Sequence, residues 1–146
     1  MLPPDDVFFM KKALDEARQA ASQGEVPVGV VVVAQGQIIA RGHNLTETLN
    51  DVTAHAEMQA ITAAANHLGG KYLQDCTLYV TLEPCSMCAG ALYWSQLGRL
   101  VFAAEDKDRG FRKHQTPLHP KTKVIFGVCA EESSELIQQF FRNKRA

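Results

Sequence analysis

Two short stretches, His55-Ala56-Glu57 and Pro84-Cys85-Ser86-Met87-Cys88, constrain this chain more than any other feature. One imidazole and two thiolates supply three ligands to a zinc ion, so a fold that uses them must bring both stretches to one point. Glu57 adds a carboxylate that is not needed as a ligand. The fourth zinc position is then open, which separates a catalytic zinc from a structural one. Cys85 and Cys88 stand three apart and share one face of a helix. In a first helical turn, the partial positive charge of the terminus favours thiolate over thiol.

The surrounding pattern supplies a framework for this convergence. Asp5 and Asp6 are candidate caps for a first helix with an apolar face of Met10, Leu14, Ala17 and Ala21, ending at Gly24. β-Branched runs at 28–33 and 37–41, joined by Ala34-Gln35-Gly36, read as a hairpin. A helix is expected over about 54–67, stopped by Gly69-Gly70, then a strand over 77–81. Pro84 opens another helix to about Trp94. Strands over 99–103 and 123–127 and a terminal helix over 131–142, with Leu136, Ile137 and Phe140 at helical spacing, complete the order. Helices interleaved with five strands predict a three-layer α/β/α sandwich around a central mixed sheet, in a single domain of 1–146. The stretch from Glu105 to Lys121 reads as a long loop, and such loops are more often functional than accidental.

H-x-E followed by P-C-x-x-C is the signature of zinc-dependent nucleobase deaminases. Zinc lowers the pKa of its water from about 15.7 to about 7, making hydroxide available at neutral pH. Glu57 is the candidate catalytic residue: it accepts the water proton, returns it to a ring nitrogen and helps protonate the departing amine. Two other readings use the same residues. A closed zinc site would take a further donor from His114 or His119. A thioredoxin-like redox pair at Cys85 and Cys88 would leave His55 and Glu57 idle.

Longer strings narrow the class. Glu25-Val26-Pro27-Val28-Gly29, His43-Asn44, Thr53-Ala54-His55-Ala56-Glu57-Met58 and the run from Thr77 to Ala91, with the tail from Glu132 to Arg142, resemble the bacterial tRNA-specific adenosine deaminases of the cytidine deaminase superfamily. The resemblance covers nearly the whole chain. It implies a cytidine deaminase-like fold, one Zn2+ per chain on His55, Cys85 and Cys88, and Glu57 as proton shuttle. It also implies a base contact from Asn44, which by position alone reads as a turn residue. The implied partners are a tRNA anticodon stem-loop, whose wobble adenosine becomes inosine, and a second copy of the chain in a homodimer. The chain departs from the family at Asp51-Val52-Thr53, which lacks a usual Pro, and at Asp108, where Lys is common. It departs again at His119-Pro120-Lys121, where an Asn-His pair is usual, and at Ser133, where relatives often have Cys.

Composition adds exclusions. The 146 residues are 46% hydrophobic and 21% charged, which is globular, and the net charge of −1 does not advertise a nucleic-acid binder, although a local basic patch suffices for one. Met1-Leu2-Pro3-Pro4-Asp5-Asp6 is acidic where a signal peptide is basic, and the apolar run 26–34 is too short for a bilayer. A cytoplasmic protein with no membrane partner is the expectation. Cys76 and Cys129 read as small buried hydrophobes. Arg109, Arg112, Lys113, Lys121 and Lys123 form a candidate phosphate-binding cluster, and Arg142, Lys144 and Arg145 suit either the helix dipole or an RNA backbone. Leu92, Tyr93 and Trp94 are expected in the core or a dimer interface. Two alternatives stand beside tRNA deamination. One is deamination of a free base or nucleoside, such as cytosine or guanine. The other is a non-catalytic zinc-stabilised RNA-binding module.

Overall fold

A computed structural model describes residues 4–145, so Met1-Leu2-Pro3 of the acidic leader lie outside the described residues. The order is α1 (Pro4–Ser22), β1 (Gly29–Ala34), β2 (Gln37–His43), α2 (Ala56–Leu68), β3 (Cys76–Leu82), α3 (Ser86–Trp94), β4 (Arg99–Ala104), β5 (Lys123–Phe126) and α4 (Ala130–Arg145). The five strands form one sheet ordered β2-β1-β3-β4-β5. β1 runs antiparallel to β2 and β3, while β3, β4 and β5 are parallel, so the sheet is mixed and open, as the alternation of elements implies.

Alternation along each strand divides the core in two. Val30, Val32, Leu78, Val80, Leu100 and Phe102 face α2 and α3, where they meet Ala56, Ala60, Ala64, Ala89 and Leu92. Val31, Val33, Tyr79 and Val101 face the other way and meet Phe9, Met10 and Ala13 of α1. The central strands are therefore buried on both faces, which is why they read as unbroken apolar runs rather than alternating ones. α4 completes the second helical layer. Its Glu132 pairs with Lys11 at 2.7 Å and Arg18 at 2.8 Å on α1, and its Ser133 hydroxyl donates to the Thr81 carbonyl at the end of β3.

The hairpin turns at Gln35 and Gly36, with φ of 52° and 75°. Two positive φ values in a two-residue loop match the twist of the flanking strands. Gly42 matters for the layer above. A Cβ there would stand 2.7 Å from the Ala56 carbonyl oxygen and 3.1 Å from the Ala60 nitrogen. Its absence lets the first turn of α2 lie directly on β2.

The expectation for Asp6 needs correction. Asp6 does not cap α1; it lies within the helix, 1% exposed. Its carboxylate accepts from Arg99 of β4 at 2.8 and 2.6 Å and from the Tyr79 hydroxyl of β3 at 2.6 Å. Asp5 likewise lies inside the first turn and not before it, and from that turn the Asp6 side chain reaches the sheet. Trp94 is also not core: it is 77% exposed, while Leu92 is fully buried. Cys76 is buried as expected, but Cys129 is only half-buried and holds a φ of 59°.

The Arg99 guanidinium holds the Asp6 carboxyl below its ordinary value of 3.8, against the opposing effect of burial. A depressed carboxylate contributes stability that is whole above its unfolded pKa and is lost as pH falls through its folded one. Arg99→Met is expected to cost about 2 kcal/mol at pH 7 by stranding a buried charge, less than a fully buried pair because Arg99 keeps 24% of its side-chain surface exposed. The deficit should shrink once pH drops below the folded value. Asp6→Leu/Arg99→Met should lose less than the single change, and urea unfolding of the three proteins across that pH range is the measurement.

Candidate active site

Both halves of the motif stand at helix starts. His55 is the N-cap of α2 and Cys85 the N-cap of α3, each with extended backbone angles, so their side chains leave the helices sideways. Cys88 follows in the first turn of α3. α3 therefore begins after Cys85 rather than at Pro84, which precedes the cap. The His55 Nδ1 lies 3.6 Å from the Cys85 Sγ and 3.5 Å from the Cys88 Sγ. Zinc bonds of about 2.0 Å to nitrogen and 2.3 Å to sulfur at tetrahedral angles put neighbouring donors about 3.6 Å apart. The two nitrogen–sulfur edges thus have the size a zinc tetrahedron requires, and the donor set is one zinc prefers. Among the described residues this is the one group of three or more candidate metal donors.

The electrostatics fit the same use. The Cys88 thiol donating to it and the neighbouring His55 hold Cys85 at about 3, while the proton shared between the two sulfurs pushes Cys88 upward. A bound dication displaces that proton. Hydrogen bonding to Cys85 raises His55 against burial. Glu57, in the first turn of α2 and 4% exposed, is pushed up to about 7 by burial, although its own backbone N–H favours the charged form. A carboxyl group poised there can both take and give a proton near neutral pH.

These groups border a cavity of about 220 Å³ walled by Val26, Val28, Asn44, Leu82 and Arg109. Asn44 keeps its turn reading and also stands at the cavity. Its Oδ1 accepts from the Thr46 N–H at 3.4 Å, as in a turn, and its side chain lines the cavity. A larger groove of about 670 Å³ lies at the other end of the sheet, among Gln74, Thr77, Arg99, His119, Lys121 and Lys123. It lacks the metal donors.

Two further buried carboxylates, Glu25 and Glu83, organise the walls. Glu25, fully buried, accepts from the Thr48 N–H and hydroxyl at 2.6 Å each and from the Glu47 N–H at 3.1 Å. Burial raises it, but these bonds outweigh burial and leave it below its ordinary value. Glu25 thereby fixes the loop between β2 and α2 that carries Asn44. Glu83 accepts from the backbone N–H groups of Asp106 and Arg112 at 3.1 Å each, and from the Arg112 guanidinium at 3.1 and 3.0 Å. It anchors the segment after β4. A Glu beside a run of Gly, Pro or Cys was the available signal, but its partners are distant in sequence.

The expected basic cluster is divided. Arg112 is committed to Glu83 and Glu105 and lies over the rings of Phe102 and Phe126 at 4.9 and 4.7 Å. Lys121 and Lys123 line the opposite groove, and Arg109 faces the catalytic cavity. The stretch 105–121 is a series of turns pinned by Glu83 and by the bridge between Gly110 and Cys85, not an unstructured loop. The closed-zinc reading loses its donors as well. His114 Nε2 contacts the Asp108 carbonyl at 3.0 Å, and His119 sits against Tyr93 with ring centroids 5.9 Å apart. At the missing Pro, the Asp51 carboxylate accepts from the Thr53 N–H at 2.8 Å and hydroxyl at 2.7 Å, which closes the turn into His55.

The chain is similar to known proteins over most of its length. The chain is 46% identical over 144 residues to the tRNA-specific adenosine deaminase of Aquifex aeolicus (strain VF5), covering 94% of this chain and 95% of that one. A solved structure from biochemical and structural studies of A-to-I editing by tRNA:A34 deaminases superposes with a TM-score of 0.81 at 42% identity, covering 88% and 98% of the two chains. The X-ray structure of guanine deaminase from Bacillus subtilis gives a TM-score of 0.66 at 45% identity, covering 69% and 65%. The family of MafB19-like deaminases matches residues 5–145, which include every donor and both loop anchors of the site, and to that family the chain belongs.

Proposed function

We propose that this protein is a zinc-dependent hydrolase that converts adenosine to inosine at the wobble position of a tRNA anticodon, releasing ammonia. The observation that carries the chemistry is the buried Glu57 carboxyl beside three convergent donors at a base-sized cavity. The substrate reading rests on relatives of that name matched over nearly the full length of both chains. His55, Cys85 and Cys88 would hold one zinc ion, which would make a hydroxide-strength nucleophile available at neutral pH.

The chain's own residues do the rest. Glu57 takes a proton from water at its carboxylate oxygen and delivers it to the purine ring nitrogen beside the amino-bearing carbon. It then takes the second proton from the hydroxyl added at that carbon and gives it to the amine, which departs as ammonia while the carbonyl forms. Asn44 meets the edge of the base. Val26, Val28 and Leu82 give the cavity an apolar wall that accepts an unstacked ring. The base reaches that depth only when splayed out of its RNA loop. A homodimer in the cytoplasm belongs to the same reading. The exposed Trp94 at the end of α3 is the kind of side chain a second copy covers, and none of the described helices is long and apolar enough to cross a membrane.

The guanine deaminase likeness favours a second reading, turnover of a free base. Salt separates the two: RNA binding weakens steeply as salt rises, whereas a neutral base is indifferent. The deciding assay is nucleoside mass spectrometry of an unmodified tRNA with a wobble adenosine. Inosine is expected with the zinc-loaded protein, and Glu57→Ala should lower its rate by about 10³-fold while zinc content and fold persist. Turnover of guanine without inosine in tRNA would move the assignment to the free base. Cys88→Ser should reduce zinc well below one per chain by elemental mass spectrometry, because the buried sulfur is lost as a ligand.

A further inference from the structure

Arg109 is the only Lys or Arg that lines the catalytic cavity among the described residues. Its backbone is tightly held. The Asp106 Oδ1 accepts from the N–H groups of Asp108 at 3.1 Å and Arg109 at 3.0 Å. The next residue, Gly110, bridges the backbone of Cys85 and donates its N–H to the Asp106 carbonyl at 2.9 Å. Arg109 is thus one residue from a segment paired with a metal donor. Its side chain is in a different state: it is exposed, and among the described residues its guanidinium makes no hydrogen bond or ion pair.

The cavity is too small to take more than a base and part of its sugar. At about 220 Å³ it falls below the roughly 300 to 1,000 Å³ of sites that engulf a drug-sized ligand. The phosphates of a polynucleotide must therefore remain outside, where Arg109 stands. Asp106 at the cavity and Asp108 beside it in sequence would repel a phosphate that had no cation to meet it. A planar guanidinium on a rigid backbone is suited to two-point contact with phosphate oxygens.

On this basis, and resting on the tRNA reading above, we infer that Arg109 clamps a phosphodiester flanking the nucleotide whose base enters the cavity, and so makes the site selective for a polynucleotide over a free base. Arg109 positions the RNA and takes no part in the chemistry.

The test uses the full zinc-loaded chain carrying Glu57→Ala, so that binding is read without turnover, and an anticodon stem-loop with a wobble adenosine as the probe. Adding Arg109→Gln should raise Kd about tenfold near 0.1 M salt and reduce the slope of log K against log salt by about one, with Arg109→Lys intermediate. A stem-loop bearing one uncharged methylphosphonate beside the wobble nucleotide, tried on each side in turn, should bind about tenfold more weakly to the Arg109 form at one of the two positions. The Arg109→Gln form should not distinguish it there. A merely structural role for Arg109 would leave that penalty in place. Equal Kd and salt slope with and without Arg109, or a methylphosphonate penalty that survives its removal, would overturn the inference while leaving the tRNA reading intact. Failure of every form to bind the stem-loop would instead sink the tRNA reading and the inference with it.

Discussion

Everything in the site depends on two helix starts meeting at one point. His55 and Cys85 each occupy an N-cap, where the backbone is extended and the side chain is aimed away from the helix it begins. This arrangement serves two needs together. The unsatisfied N–H groups and dipole of each terminus favour negative charge, which keeps sulfur as thiolate and stabilises charge that develops during reaction. α2 also lies directly on β2 and packs against α3, which keeps donors only 3.5 and 3.6 Å apart in register. Gly42 is part of that constraint, because it sets the depth at which α2 rests on the sheet.

Buried carboxylates hold the rest in place. Asp6, Glu25 and Glu83 are each at most 4% exposed, a costly position for a charge. Each is met by several charge-assisted hydrogen bonds, and each is consequently held below its ordinary pKa. Glu57 is as deeply buried, and there burial outweighs its own backbone N–H, the neighbouring His55 and the Cys88 thiol, so it rises to about 7. The same residue type therefore does opposite work in one molecule. Asp6 ties α1 to the sheet, Glu25 and Glu83 fix loops, and Glu57 stands at the cavity with its carboxyl raised.

Much of this was legible beforehand. The strand runs at 28–33, 77–81 and 99–103 lie within or one residue beyond the observed β1, β3 and β4, because strands buried on both faces leave continuous apolar signatures. The metal donors were legible because the chemistry demands particular atoms at particular spacings. The role of Asp6 was not, since an acidic residue near a helix start looks the same whether it caps the helix or reaches across to Arg99. Nor was the division of the basic residues between opposite ends of the sheet. Closeness in sequence between Arg112 and Lys113 or Lys121 says nothing about which cation is already neutralised.

The sequence by itself determined the elements, their order and which side chains are candidates for the chemistry. These follow from local periodicity and from the fixed preferences of zinc for sulfur and nitrogen. Only the tertiary structure decided which charges are spent and which are free. Arg112 is consumed by Glu83 and Glu105, whereas Arg109 remains unpaired at the mouth of the cavity. The physical reason is that charge pairing depends on distance and burial between segments far apart in the chain, and no local pattern encodes either.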